Sequence, residues 1–564
     1  MLFVEDPLAE LAPAPAPLPP EPLNLRPLVL GAAAASALAA CGGSSDVNAP
    51  PPPAPPPPAA LTLEGAARLL AQGSFGADRA EVNRVKAMSV SAWLDEQFAA
   101  PRSQGHVDWL REQGYGVEAS QFTRAPLDYS VWRKFLSSPD QLRQRMVYAL
   151  SQIMVVAIEG ITGAYPAFAA GYYLDVLEAN AFGNCRQLLE QVTLSPAMGT
   201  YLSMRGSRRA DASGRQPDEN YAREVMQLFS IGLVDLEPDG TPKASDSYGQ
   251  ADVTGLARVF TGWDYAAGVT GTPDRAITPM AHTASRHEPG EKRFLGQTIA
   301  AGTDGPTSLA RALDVLFNHP NVGPFIGRQL IQRLVTSNPN AAYVDRVAAA
   351  FADNGQGQRG DLKAVLRAVL SDAEARDDSA ALASSRGGKL REPVLRFTQW
   401  ARAAKLTSAS GQWRLPSLGD PAQRLGQSPL HSPSVFNFYR PGYVPPNTAI
   451  ASANLVAPEF QITTESSVAG YLNFMQSAVA TVNGVSGSDL KPDYGAWLAL
   501  AGDPAALAAE ANLVLAAGQI GAATLTTIRD AVAAMPSGSD AALRNRVLAT
   551  LLLTLAAPEF LVLR

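Results

Sequence analysis

The chain has 564 residues, of which 46% are hydrophobic and 17% are charged, so it is long and apolar enough for one large domain or several ordinary ones. Its formal net charge of −6 argues against nucleic acid as a partner, because nucleic-acid binders need a basic surface. The two cysteines, Cys41 and Cys185, are too few for a disulfide framework. The sequence contains no unbroken run of about 20 apolar residues, which argues against a multi-pass membrane protein.

The N-terminal segment, residues 1–41, has the features of an export signal. Arg26 precedes the apolar run Leu28 to Ala40, which is too short to span a bilayer but suits the core of a signal peptide. The run ends in Leu38-Ala39-Ala40-Cys41, which resembles the lipobox of a bacterial lipoprotein, where Cys41 would be lipidated and become the mature N-terminus. The small residues after Cys41, with no adjacent Asp, resemble sorting to the outer membrane. Residues 1–25 are acidic and proline-rich, which departs from the usual short basic start.

Residues 42–60 are predicted to be a tether. The proline run between Ala49 and Ala60 favours an extended polyproline spacer that rises roughly 3.1 Å per residue. Stable anchoring needs two or more acyl chains, and a lipidated Cys41 would carry them. We therefore expect an exported protein of the cell envelope that faces the periplasm or the surface and contacts the membrane through its lipid anchor only.

From Leu61 onward, apolar residues recur at helical spacing and no notable alternating strand pattern intervenes. We predict an all-α fold over residues 61–564, a large single domain of many helices with long loops. The predicted helices cover 63–72, 79–99, 143–157, 172–182, 187–193, a start at 195–198, 217–229, 251–263, 309–317, 322–335, 341–353, 362–370 and 543–555.

Three long loops interrupt the helical pattern, and loops of this length are usually functional or disordered. The first, 205–215, is basic, and its arginines either face an anion or are simply solvated. The second, 267–305, has room for one short β-hairpin. The third spans Gly411 to Pro446. The arginines of the first loop are Arg205, Arg208, Arg209 and Arg215.

The stretch from Gln216 to Phe229 concentrates polar side chains on one predicted helix. At about 100° per residue these polar residues share one arc, and apolar residues fill the rest. Pairs four residues apart can contact each other. Three interpretations remain open: a solvated helix face, a structural polar network between helices, and a functional site. The residues of the arc are Glu219, Asn220, Arg223, Glu224 and Gln227.

Several short motifs, in this order, resemble the bacterial family catalogued as domain of unknown function 1800 (DUF1800). The resemblance runs from about residue 61 to the C-terminus and implies an exported, mainly helical protein. Members are often encoded beside a second exported family that resembles sulfatases and phosphatases, so the resemblance implies such a partner. The family more often has Asn at the position of Asp218 and His-Asp at His287-Glu288. The motifs are Arg68-Leu69-Leu70, Ser74-Phe75-Gly76, Ser195-Pro196-Ala197-Met198, residues 217–224, Asp252-Val253, residues 257–263, Lys292 to Gly296, Arg391-Glu392-Pro393, Leu425-Gly426-Gln427 and Ala557-Pro558-Glu559-Phe560.

The sharpest chemical hypothesis is a site in which Glu219 and Glu224 face Asp252 and His287. Asn220, Arg223, Arg258 and Trp263 would then orient groups or bind. Carboxylates with an imidazole can hold a divalent metal, with Glu219, Glu224 and His287 as ligands. The spacing gives little support, because no His-x-x-x-His or Cys-x-x-Cys pattern occurs. Asp252 is equally suited to capping the helix that it begins, and His287 to an ordinary loop position.

Two classes of function follow. The favoured one is a lipid-anchored helical protein that binds an envelope partner or a surface polymer. The alternative is a hydrolase of a carbohydrate or an ester that uses the carboxylates, with or without a metal. An enzyme requires the carboxylates to converge in an open pocket, whereas a scaffold would seal them against Arg223, Arg258 or backbone donors. Aromatic residues that could stack on sugar rings are Trp263, Tyr265, Phe436, Tyr439 and Tyr443.

Overall fold

Short polar side chains set the start of many helices in the computed structural model, which describes residues 60–564 except 270, 378–382, 385, 482–486 and 488. Thr62 accepts a 2.8 Å hydrogen bond from the backbone N–H of Gly65, and Asp78 accepts one from Glu81. Such caps satisfy donors that the first helical turn leaves open. The predicted lipobox with Cys41 and all but the end of the predicted tether lie outside the described residues.

The fold is all-α, as the helical spacing predicts. The helices of the first half are α1 (Leu63–Gly73), α2 (Arg79–Lys86), α3 (Val90–Ala99), α4 (His106–Glu112), α5 (Ala125–Ser137), α6 (Gln141–Ser151), α7 (Pro166–Asn180), α8 (Cys185–Thr193), α9 (Pro196–Tyr201), α10 (Asn220–Gln227), α11 (Gln250–Val259) and α12 (Asp274–Ile277). Those of the second half are α13 (Gly305–Asn318), α14 (Val322–Leu334), α15 (Ala341–Ala352), α16 (Leu362–Ser371), α17 (Ala373–Arg376), α18 (Pro393–Ala403), α19 (Ala449–Ser452), α20 (Glu465–Ala480), α21 (Gly495–Leu498), α22 (Pro504–Ala516), α23 (Ala522–Ala533), α24 (Asp540–Ala556) and α25 (Pro558–Leu561). Short 3₁₀ turns lie at Glu118–Ser120, Ile158–Gly160, Ala284–Arg286 and Pro458–Ile462.

The strands form two-stranded antiparallel pairs. The hairpin expected within 267–305 is β5–β6, and Leu295 and Gly296 at its turn both have positive φ, as a tight two-residue hairpin loop requires. The other pairs were not expected, because their strands are too short to show an alternating pattern. The strands are β1 (Val234–Leu236) with β2 (Pro242–Asp246), β3 (Trp263–Asp264) with β4 (Ala281–His282), β5 (Lys292–Phe294) with β6 (Gln297–Ile299), β7 (Lys389–Leu390) with β10 (Val562–Leu563), and β8 (Thr407–Ser408) with β9 (Leu490–Lys491).

Several of the predicted helices differ in extent from the observed ones. The predicted helix 79–99 is two helices, because Ser89 caps a new start by accepting a hydrogen bond from the N–H of Ala92. The predicted helix 143–157 is α6, which ends at Ser151. No helix within the described residues is long and apolar enough to cross a membrane. In α24, the predicted apolar last helix, Arg546 donates a hydrogen bond to the carbonyl of Met535.

The described residues from 60 onward form one compact unit around a continuous apolar core. Helix α6 is buried on almost all sides and lies between α5, α7 and α14. Its buried residues include charged and polar groups as well as apolar ones: Arg145, Gln144 and Tyr148 have little or no exposed surface. Polar groups at that depth need partners: Gln144 donates to Asp140 at the start of α6, whereas the partners of Arg145 and Tyr148 come from α14 and from the start of α18.

Candidate functional site

Glu219 joins α10 to α11 at the protein surface. The helix starts at Asn220 rather than at the predicted Pro217, so Glu219 is the residue before its first turn. Its carboxylate accepts hydrogen bonds of 2.8 Å from both Thr254 and Gln250 of α11, and these bonds lower its pKa. Arg223 lies 3.3 Å from the same carboxylate and also donates to Gln250. These contacts are those of a polar network between helices.

Glu224 is buried, although the other residues of the predicted polar arc are exposed or half-buried. Asn220 is exposed, whereas Glu224 is only 7% exposed. Burial raises the pKa of Glu224, and the charge of Arg223 opposes this. The Oε2 atom of Glu224 has no hydrogen-bond partner in the described part of the chain. A shielded carboxylate of this kind is costly to keep charged.

Asp252 and Arg258 connect α11 to the β5–β6 hairpin. Asp252 accepts 2.8 Å and 2.6 Å hydrogen bonds from the backbone N–H groups of Gly249 and Leu295. Arg258 is exposed and donates to the carbonyl of Glu291. The helix and the hairpin touch closely, since a Cβ on Gly255 would lie 1.6 Å from the carbonyl oxygen of Arg293. Both side chains therefore have a structural role in this packing.

His287 and Trp263 are buried beside a second imidazole. The Nδ1 atom of His287 lies 3.0 Å from the carbonyl oxygen of Thr261, and burial lowers the pKa of His287. The ring of His282 is 5.1 Å from the rings of both His287 and Trp263. Trp263 is thus a core residue and presents no free face for a sugar ring.

The predicted catalytic residues Glu219, Glu224, Asp252 and His287 each have separate surroundings. Across the described residues, no group of three or more His, Cys, Asp or Glu side chains could hold a metal ion. The proposed ligand set Glu219, Glu224 and His287 is therefore not assembled. The physical reason is that Asp252 and His287 face hairpin and loop backbone, whereas Glu219 faces the side chains of α11.

The basic loop 205–215 is partly neutralised by its surroundings. Arg205 packs over the ring of Tyr265 at 4.5 Å and lies 3.7 Å from Asp264, and Arg215 pairs with Asp211 at 3.3 Å. Tyr265 is therefore covered by a guanidinium. This arrangement favours the interpretation of a solvated loop over that of an anion-binding patch.

A buried network surrounds Glu392, at the start of α18. One oxygen of its fully buried carboxylate accepts hydrogen bonds from Tyr148 (2.8 Å), Gln152 (2.5 Å) and Gln427 (2.7 Å). The ammonium of Lys389 lies 3.9 Å from the other oxygen. Three hydrogen bonds and a cation compensate the desolvation of the carboxylate.

A second carboxylate, that of Glu459, shares Lys389 at 3.1 Å. Burial opposes the charge on Glu392, but Lys389, Arg145 and the hydrogen bonds outweigh it and lower the pKa of Glu392. Burial raises the pKa of Glu459, and the charge of Glu392 adds to this, against the attraction of Lys389. The pKa values of the two neighbouring carboxylates are therefore shifted in opposite directions, so that Glu392 holds the negative charge in preference to Glu459.

Two buried arginines extend this network between α6 and α14. Arg145 of α6 is fully buried and donates a 2.7 Å hydrogen bond to the carbonyl of Arg333, which also accepts one from Lys389. Arg333 in turn donates a 2.8 Å hydrogen bond to the carbonyl of Gln152. Helices α6 and α14 and the start of α18 are thereby held together. We call the side chains of Arg145, Tyr148, Gln152, Arg333, Lys389, Glu392, Gln427 and Glu459 the buried charge network.

Above Gln152 and Arg333 lies a cleft of about 410 Å³, which we call the arginine cleft. Its cations are Arg328, Arg333 and Arg440, and none of the described Asp, Glu or His residues lines it. Phe436 lies under the guanidinium of Arg440 at 4.6 Å. The lining residues are Gln152, Ile153, Gln227, Leu228, Gly232, Leu233, Val234, Leu236, Gly240, Pro242, Phe325, Arg328, Gln329, Gln332, Arg333, Val435, Phe436, Arg440, Pro441 and Gly442.

The third predicted loop, 411–446, contributes both to the cleft and to the network. Phe436, one of the aromatic residues predicted to stack, lines the cleft, whereas Tyr439 is buried. In the same loop, the imidazole of His431 lies between Asp128 at 2.7 Å and Glu159 at 2.5 Å. Burial opposes the charge on His431, but the two carboxylates outweigh it and raise its pKa to about 9.

Comparison with known proteins gives one match. The sequence profile of the family described as "Protein of unknown function (DUF1800)" matches residues 68–562. The chain belongs to the DUF1800 family. The match covers every residue of the buried charge network and of the arginine cleft in this DUF1800 protein. Neither a curated protein nor a solved structure matches the chain.

Two of the family motifs of this DUF1800 chain mark residues of the buried charge network, which the residue types alone did not indicate. Glu392 and Gln427 stand in Arg391-Glu392-Pro393 and Leu425-Gly426-Gln427, two motifs quoted above for the family resemblance without any assigned role. Their direct contact gives those motifs a physical reason. Arg333 and Gln152 lie in ordinary helical patterns and carry no comparable signal.

Proposed function

We propose that this protein is an exported, lipid-anchored binding protein of the bacterial cell envelope, and that the arginine cleft holds its ligand. The observation that carries the proposal is a cleft of about 410 Å³ with mostly apolar walls and a few polar groups. That volume lies within the range of roughly 300–1,000 Å³ typical of ligand sites. Helix α14 and the buried charge network provide a rigid floor.

The absence of an acid or base from the cleft lining favours binding over hydrolysis. General acid–base catalysis needs a titratable side chain within hydrogen-bond reach of the substrate. The carboxylate of Glu392, which accepts a hydrogen bond from Gln152 of the floor, is sealed and has no exposed surface. The cleft therefore supports recognition of a ligand rather than acid–base catalysis within it.

Location and partners rest on the sequence. The lipobox at 38–41 supports acylation of Cys41, and the proline run supports a spacer between the anchor and the folded part. The family resemblance supports an exported sulfatase- or phosphatase-like protein as a neighbour. Binding of a ligand or a surface polymer near the outer membrane fits this arrangement.

Labelling with radioactive palmitate tests the anchor. We expect the full chain to incorporate label and Cys41→Ser to incorporate none. Label retained by Cys41→Ser would overturn the predicted lipidation. Position 41 lies outside residues 60–564, so a serine there leaves the sequence of the folded part unchanged, and the variant also supplies full-length protein without the acyl chains.

A neutral apolar dye, N-phenyl-1-naphthylamine, tests the cleft. We expect its fluorescence to rise on binding to Cys41→Ser protein, and Leu233→Gln to weaken binding several-fold, because Leu233 lines the cleft and is 56% exposed. The matched control is Leu553→Gln on α24, which changes another exposed leucine away from the cleft. Equal effects of the two variants, or no binding, would overturn the proposed function.

A further inference from the structure

Building on the proposed function, we infer that the ligand of the arginine cleft is a small amphipathic anion, an apolar chain or ring that carries a single carboxylate. The inference depends on the charge of the cleft, on open hydrogen-bonding groups at its floor and on its apolar walls. Each of these selects one part of the ligand.

The cleft has the charge of an anion site. Its lining contains the three cations Arg328, Arg333 and Arg440 and no acidic side chain. Arg328 has one hydrogen bond, a long one of 3.4 Å to the carbonyl of Gly240, and burial lowers its pKa. A guanidinium in a poorly hydrated place gains from an anionic partner, and a carboxylate matches its planar set of donors.

Two hydrogen-bond donors at the floor of the cleft have no partner among the described groups. Arg333 is 2% exposed, and one of its amino groups binds the carbonyl of Gln152, but its Nε atom has no partner among the described groups. The same holds for the Nε2 atom of Gln329, which is 7% exposed and lies one helical turn earlier on α14. Buried donors without partners are costly, so an acceptor at the floor of the cleft that paired with either of them would be favourable.

The walls select an apolar body. Leu233, Phe325, Val435 and Phe436 line the cleft, and Leu233 is largely exposed to solvent without a ligand. Covering such side chains is favourable by about 25 cal/mol per Å² of apolar surface. A sugar or a free inorganic anion would leave this apolar surface exposed to water, whereas an acyl chain or an apolar ring would cover it.

A single carboxylate fits better than a phosphate. Few donors lack a partner, and one amino group of Arg333 already donates a hydrogen bond to the carbonyl of Gln152. A doubly charged phosphate would lose more hydration than these donors replace, since desolvating charge without full pairing is unfavourable. A carboxylate has only two oxygens that must accept hydrogen bonds from donors of the site, and it can direct its chain along the apolar wall.

Displacement of N-phenyl-1-naphthylamine from full-length Cys41→Ser protein tests the inference with matched chains: octanoate, octyl phosphate, octanol and octyltrimethylammonium. We expect octanoate to displace the dye about 10-fold better than octanol, because hydrogen bonds to charged groups add this much or more. Octyl phosphate should be weaker than octanoate, and octyltrimethylammonium should be weakest. Equal displacement by octanoate and octanol, or preference for the phosphate or the cation, would overturn the inference.

Arginine variants locate the carboxylate. Arg328→Gln should reduce the advantage of octanoate over octanol several-fold while octanol displacement stays unchanged. Arg311→Gln makes the same change of charge at an exposed position of α13 and should leave the advantage intact. An equal loss in both variants would show a general charge effect and overturn the site. If the dye itself does not bind, the proposed function fails; if it binds without a preference for octanoate, only the inference on ligand class fails.

Discussion

Gln427 donates a 2.7 Å hydrogen bond to the buried carboxylate of Glu392. This bond ties the long loop 411–446 to the start of α18. Because Gln152 and Tyr148 of the α6 region donate to the same oxygen, one carboxylate holds three distant parts of the chain together. The floor of the arginine cleft is fixed by the same contacts, since Gln152 and Arg333 belong to both.

Glu392→Gln should destabilise the fold by about 3–5 kcal/mol, the usual effect of breaking a buried ion pair by removing one partner. The amide keeps the shape but leaves the charges of Lys389 and Arg145 without their main counter-charge. Urea unfolding followed by circular dichroism measures the change. The control is Glu459→Gln, which should cost clearly less because burial already raises the pKa of Glu459. Equal losses would contradict the assignment of the charge to Glu392.

The stability of the protein should fall as pH rises from about 6.5 to about 9, through the titration of His431. Its pKa is raised from 6.5 to about 9 in the folded state, so the folded protein binds this proton more tightly than the unfolded chain does. The contribution is therefore complete below about pH 6.5 and disappears as pH passes 9. Denaturant unfolding across this range measures the slope, and His431→Gln should make it shallower. An unchanged slope in the variant would rule out this source.

Glu224→Gln should leave the fold equally stable or make it more stable at neutral pH. Burial penalises the charged form of Glu224 and raises its pKa above 4.5, so this penalty is complete above the folded pKa and vanishes as pH falls below the unfolded value of about 4.5. The advantage of the variant should shrink over the same acidic range, as measured by urea unfolding. Dye binding in the arginine cleft should not change. A marked loss of stability at neutral pH would mean that Glu224 has a partner which the described contacts do not include.

Local periodicity was enough to predict the all-α fold. Helices such as α8 and α16 show apolar residues at three-to-four spacing, and their observed bounds differ from the predicted ones by two residues or fewer at each end. The break at Ser89 was missed because the apolar pattern continues across it, while the cap is a single hydrogen bond. Periodicity reports which faces are buried, and it reports helix ends only weakly.

The candidate site could not be predicted in the same way. Glu219 and Glu224 are close in sequence, but whether they face each other depends on where α10 begins and on what packs against it. The network is still less visible, since Gln152 and Glu392 are 240 positions apart and their pairing depends on the packing of helices. The loop 411–446 is the exception, because its length alone marked it and it contributes Gln427, His431 and Phe436.

Asp252→Ala should cost about 1–2 kcal/mol, since the carboxylate both caps the first turn of α11 and accepts a hydrogen bond from the backbone N–H of Leu295. The loss should be accompanied by faster hydrogen exchange in the β5–β6 hairpin, which depends on that contact. Asn220→Ala is the matched control: its side chain is exposed at the start of α10, so stability should stay within about 0.5 kcal/mol. If Asp252→Ala instead left stability and hairpin exchange unchanged, the residue would be free for another role, and the catalytic hypothesis for Asp252 would regain its basis.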